Sequence, residues 1–146
     1  MKTCFFIGHR DAPEEIRSTL AAAVERHIVD YGVTEFLVGR YGDFDRLAAA
    51  AVIAAKKVHP QVTLTLLLPY HPAVCSVEKP SGFDETCYPP DMENVPRRFA
   101  IVHANRYAVT QTDYIIAYVN QSPSNARNIM RFAVHRGVAV KNIADA

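Results

Sequence analysis

Residues 3–32 read TCFFIGHRDAPEEIRSTLAAAVERHIVDYG, and this stretch decides the fold. Its apolar run from Cys4 to Ile7 is continuous rather than alternating, the pattern of a strand covered on both faces. The run stops on Gly8, and a helix pattern follows. Asp11 is placed as an N-cap, Pro13 suits a first turn, and Glu14 and Glu15 favour the positive end of a helix dipole. Ile16, Leu20, Val24 and Ile28 recur as one buried stripe, and Gly32 stops the helix.

The same unit recurs along the chain. TEFLVG (34–39) is a second buried strand, and DFDRLAAAAVIAAKKVHP (43–60) an Ala-rich helix stopped before Pro60. QVTLTLLLPY (61–70) is a third strand. ENVPRRFAIVHANRYAVTQT (93–112) reads as a helix with Asn94 as cap and Pro96 in its first turn. DYIIAYVN (113–120) is a strand, SPSNARNIMRFAVHRG (122–137) a helix capped by Ser122 or Ser124 and ended by Gly137, and VAVKNI (138–143) a last short strand. Strands alternating with helices imply an α/β fold of three layers. The expectation is one domain over residues 1–146 with a mostly parallel five-stranded sheet, order 3-2-1-4-5. Residues 69–92 form a long Pro-rich loop inside it. Loops of that length are lids, binding loops or irregular connections. This one is read as a partial cover of the carboxyl edge, with His71, Phe83 and Tyr88 available to pack on a base; the alternative is a surface loop stiffened by its prolines.

Composition narrows the function classes. A hydrophobic content of 49% and a charged content of 21% are those of an ordinary globular domain. The net charge of +1 supplies no global field toward nucleic acid or an anionic membrane, so any anion site is local. The apolar runs fall short of the ~18 residues that a membrane helix needs. No export signal opens the chain, and a cytoplasmic location is expected. Of the cysteines, Cys4 reads as a core residue, while Cys75 and Cys87 lie in the Pro-rich stretch, where a disulfide is conceivable but is not the default in a reducing compartment. Without a CxxC pair, no metal site is assigned, and no cofactor is implied.

In an open parallel sheet, ligands bind beyond the carboxyl ends of the strands. The loops at that edge read GHRD, GRYGDFD, PYHP and NQSPSN. Gly8, His9 and Arg10 follow the first strand. Gly39 and Gly42 bracket a turn into a helix, where backbone amides approach a ligand closely, although neither GxGxxG nor Gly-Lys-Ser/Thr occurs. The plain alternative is a glycine turn with Asp43 as N-cap. Asp45 starts the helix at the same edge, placed to accept hydrogen bonds from a ribose hydroxyl. Ser122, Ser124 and Asn125 cluster at a helix start, where free amides and the dipole favour phosphate; capping alone needs one such residue. Asn105 sits mid-helix, where propensity disfavours it. Tyr31, Tyr41 and Tyr118 are either base-stacking groups or core.

These motifs, FFIGHR, GRYGDFDRLAA, HANRYAV running into TDYIIAY, and the Ser/Asn-rich loop leading into RFAVHRG, resemble the SLOG superfamily. That superfamily joins DNA-processing proteins with cytokinin-activating phosphoribohydrolases. The chain looks like its small bacterial single-domain branch with a Gly-His-Arg start. The resemblance implies a Rossmann-like sheet with a nucleotide or nucleotide-derived ligand at its carboxyl edge. By position, Gly8 and Arg10 match the first-strand signature, Gly39, Gly42 and Asp45 the second-strand turn, and Ser122, Ser124 and Asn125 the phosphate loop. The phosphoribohydrolases carry an acid in that last loop, where this chain has Asn128 and Ile129. The expected function is therefore a nucleotide-binding sensor or carrier. A nucleotide N-glycosidic hydrolase or transferase, with Asp45 the candidate carboxylate, and an assembly subunit with a vestigial pocket are the alternatives. The expected partner is a nucleotide-type small molecule, with no membrane and no direct nucleic-acid signal; a homodimer through the apolar side of residues 48–55 is compatible with the composition.

Overall fold

A computed structural model of the chain describes residues 1–71, 73 and 78–145. The elements are β1 (Lys2–Gly8), α1 (Arg17–Val29), β2 (Val33–Val38), α2 (Asp43–Lys56), β3 (Thr63–Leu67), β4 (Glu85–Cys87), α3 (Ala100–Gln111), β5 (Tyr114–Tyr118), α4 (Asn125–His135) and β6 (Ala139–Asn142). They build one six-stranded sheet in the order β4-β3-β2-β1-β5-β6, with every strand pair parallel.

The central strand explains the layers. Cys4 and Phe6 face one side, where Leu20 and Val24 of α1 and Phe44 and Leu47 of α2 close over them. Phe5 and Ile7 face the other side, against Ala104 and Ala108 of α3 and Ile129 and Ala133 of α4. With period-two alternation, only a sheet covered on both faces needs apolar residues at all four positions. The small residues on α3 let that helix lie close to the sheet.

The expected five strands with order 3-2-1-4-5 are corrected to six, because the sheet gains an edge strand, Glu85–Cys87, inside the Pro-rich segment. It is held from outside the strand. Asp84 accepts Lys56 Nζ at 2.6 Å and the Leu64 amide at 2.8 Å, and Leu68 donates to the Cys87 carbonyl at 2.8 Å. Three edge residues, two exposed and one half-buried, carry no periodic apolar pattern, so tertiary pairing alone makes this strand. The proposed cover over residues 69–92 lies partly outside the described residues, and so does Cys75. Within the described part, His71 meets Tyr88 edge-on at 5.3 Å, and Phe83 packs on the α2 side of the sheet.

Helix starts also moved. Pro13 opens a short 3-10 turn, Glu14–Ile16, and α1 proper begins at Arg17, so Asp11 is not its cap. Similarly, short 3-10 turns at Met92–Asn94 and Arg97–Phe99 precede α3. Gly42, not Asp43, is the N-cap residue of α2. Among the described residues, no helix is long and apolar enough to cross a membrane.

Candidate functional site at the carboxyl edge

The carboxyl ends of β1, β2 and β5 and one face of α3 surround a cavity of about 310 Å³. Two glycines bring its walls together. A Cβ on Gly8 would overlap the ring of Phe44, whose first-turn position on α2 sits directly over the end of β1. A Cβ on Gly42 would lie 2.5 Å from the Arg10 Cα, and beside that contact the Asp43 amide donates to the Arg10 carbonyl at 2.7 Å. The loops after β1 and β2 are thus pressed backbone to backbone, which only glycine permits.

Gly8, His9, Arg10, Gly39, Gly42, Asp45, Ser124 and Asn125 all line this cavity. Ser122 is exposed and does not line it. Arg10 is exposed, and among the described residues it forms no ion pair. His9 is different. It is 7% exposed, and its Nε2 accepts the amides of Asn120 at 3.0 Å and Gln121 at 3.2 Å. Two N–H donors aimed at Nε2 leave it unprotonated, so the imidazole is neutral with its proton on Nδ1. Burial holds its pKa below the ordinary value, the Arg127 charge lowers it further, and Asp11 opposes both.

Ser124 is the N-cap of α4. Its hydroxyl accepts the Arg127 amide at 3.1 Å and donates to the Gln121 carbonyl at 3.1 Å, so its proton is already committed within the protein. What the helix offers an anion is its backbone: the amides of Asn125 and Ala126 have no intrahelical partner, and both residues line the cavity.

Asp45 is half-buried in the first turn of α2, with Oδ2 accepting the Tyr41 amide at 3.0 Å. Burial pushes its carboxyl up to about 6, against the smaller opposing pull of that amide. Gly39 leaves room for it: a Cβ there would come within 3.1 Å of Oδ2. The folded protein holds this proton more tightly than the unfolded chain, whose value is 3.8. Asp45 therefore costs stability as pH rises from 3.8 through about 6, and the full cost applies above that. Asp45→Asn, which keeps an acceptor for the Tyr41 amide, should stabilise the fold at neutral pH by on the order of 1–2 kcal/mol and give no gain in acid. Urea unfolding at both pH values checks this. A variant no more stable at neutral pH would mean that the carboxylate is well solvated.

Asn105, within HANRYAV, is the residue that helix propensity singled out in the sequence. It lines the cavity from mid-α3, and its side chain has no hydrogen bond among the described residues. Of the three tyrosines, only Tyr41 lines the cavity. Tyr118 stacks on Phe44, and Tyr31 stacks on Tyr114 at a centroid distance of 5.1 Å. Asp11, Pro69 and Gln121, from the loops GHRD, PYHP and NQSPSN, also line the cavity, as do Leu67 and Ile101, which lie in none of those loops. Arg97 lies over the Tyr70 ring. No group of three or more potential metal ligands occurs among the described residues.

No family model and no curated protein matches the chain. Solved structures do, among them two DNA-processing proteins. DNA processing protein A from Streptococcus pneumoniae superposes with a TM-score of 0.68 at 14% identity, over 95% of this chain and 49% of that one. DNA processing protein A from Helicobacter pylori superposes with a TM-score of 0.64 at 14% identity, over 95% of this chain and 63% of that one. The chain therefore shares the parallel Rossmann-like fold of these proteins. This chain spans about half of the first neighbour and less than two thirds of the second. The Helicobacter pylori protein is described by its single-stranded DNA binding mode, which corrects the expectation of partners without any nucleic-acid signal. A net charge near zero does not exclude such a ligand, because a strand can also be bound by a local groove.

Proposed function

We propose that the protein binds a nucleotide unit at the carboxyl edge of its sheet. The phosphate sits at the N-terminus of α4 and against Arg10, and the base and sugar lie toward Tyr41, Asn105 and Asp45. The observation that carries this reading is the convergence on one cavity of a helix N-terminus with an arginine that has no ion pair and a mid-helix asparagine whose side chain has no hydrogen bond, both among the described residues. The cavity volume suits a small ligand. The single-stranded DNA binding of a fold neighbour favours a second form of the same ligand, a nucleotide within a strand.

Calorimetric titration with AMP, adenosine and a short oligothymidylate tests both forms. AMP binding with weak adenosine binding supports the phosphate site, and tighter oligothymidylate binding makes the strand the ligand. Failure of all three to bind overturns the proposal. Asp45, raised toward neutrality at the cavity wall, also favours N-glycosidic cleavage as a second reading. Release of free adenine from AMP that stops in Asp45→Asn would establish it, and bound but unchanged AMP would exclude it.

Arg10→Lys keeps the charge and loses the planar fork. Affinity for AMP should fall by about three- to tenfold, with adenosine little affected. Equal losses for both ligands would show that Arg10 shapes the turn without touching the phosphate.

A further inference from the structure

We propose that His9 is a positioning residue whose neutral ring ties the end of β1 to the loop carrying the anion site, and that protonating the ring releases that loop. The inference rests on the nucleotide reading above and adds a pH dependence to the same site.

The geometry forms a chain of contacts. Nε2 of His9 accepts two successive backbone amides, those of Asn120 and Gln121. The carbonyl of Gln121 then receives both the Ser124 hydroxyl and Arg127 Nε, each at 3.1 Å. The Ser124 hydroxyl in turn caps α4 through the Arg127 amide. One residue, Gln121, thus links the imidazole to the helix start that faces the cavity. A proton on Nε2 would replace an acceptor by a donor aimed at two other donors, so the part-buried bonds to both amides would be lost.

The charges around the ring decide when this happens. Arg127 approaches from α4 and disfavours a second cation, while Asp11 on the ring's own loop favours it. Tyr118 of β5 presents its ring edge-to-face at 6.0 Å, and Arg10 and Asp45 line the same cavity. Burial and Arg127 outweigh Asp11, so the ring titrates below 6.5. The loop is therefore held at neutral pH and let go as pH falls through that lowered value. His27, also buried, has Nδ1 bonded to the Ala23 carbonyl on α1 and is likewise held below 6.5. General acid loosening must therefore be separated from release of this one loop.

Site-resolved amide exchange on the ligand-free protein does so, with rates corrected for intrinsic exchange. Between about pH 7.5 and the acid pH at which histidine nitrogen shifts show the His9 ring protonated, protection at Asn120 and Gln121 should fall by about tenfold or more, while the β5 amides of Ile115 and Ile116 keep theirs. Nitrogen chemical shifts of labelled histidine should show Nε2 unprotonated at the upper pH. His9→Gln, which offers an acceptor that does not titrate, should hold the two amides at both pH values. Parallel loss at Ile115 and Ile116, unchanged protection at Asn120 and Gln121, or a proton on Nε2 at the upper pH overturns the proposal. If His9→Gln fails to fold, the two measurements on the parent still decide. Because no ligand is used, a failure of AMP to bind would count against the nucleotide reading alone.

Discussion

Gly42→Ala should destabilise the protein by roughly 1–3 kcal/mol and weaken any ligand held in the cavity, although it adds a single methyl group. The backbone at Gly42 is extended, with φ 171°, so any residue adopts it without strain. The penalty is one of contact. The new Cβ would meet the Arg10 backbone at 2.5 Å, and a main chain cannot swing aside as a side-chain tip can. Separating the two loops also stretches the 2.7 Å bond from the Asp43 amide to the Arg10 carbonyl, displacing Arg10 and the first turn of α2 together. Gly32→Ala is the control. It has open space around it but a φ of 72°, so it should cost about 1 kcal/mol through backbone strain and leave the cavity intact. Urea unfolding and AMP titration of both variants separate the effects. A Gly42→Ala protein with parental stability and affinity would show that the loops are not pressed together.

Ser124→Asp should leave the fold standing and remove phosphate binding. Aspartate caps a helix about as well as serine and can still accept the Arg127 amide. It loses the donation to the Gln121 carbonyl, which Arg127 Nε continues to reach. A negative charge at this terminus also suits the helix dipole. The same charge faces an incoming phosphate a few ångströms away, a repulsion of roughly 2–3 kcal/mol, or thirty- to hundredfold in affinity. Binding of adenosine, which carries no phosphate, should change little. Comparable losses for AMP and adenosine would place the phosphate elsewhere.

The sequence made the layers legible because strands covered on both faces leave continuous apolar runs, and Cys4 to Ile7 is such a run. It did not reveal the strand Glu85–Cys87, whose existence depends on Lys56 and Leu64, distant in sequence. The candidate site was legible where chemistry sits at a strand end followed by a helix, as with Gly8, Gly42, Asp45 and Ser124. Residue roles were harder to read. His9 looked like a ligand contact, yet its Nε2 serves Asn120 and Gln121, more than a hundred residues away along the chain. Ser122 matched a phosphate-loop position, yet it faces solvent, because the cap falls on Ser124 instead. Asn105 stood out as a poor helix former within HANRYAV, but nothing in that motif points to the loops whose cavity it lines.

The most direct measurement of the central claim is nuclear magnetic resonance mapping of amide shifts in the labelled protein during titration with AMP. The account predicts saturable shifts at Gly8, Arg10, Tyr41, Asp45, Asn105, Asn125 and Ala126, with the largest at the first amides of α4. Saturable shifts confined to other surfaces, or none at any AMP concentration with a short oligothymidylate equally silent, would contradict it.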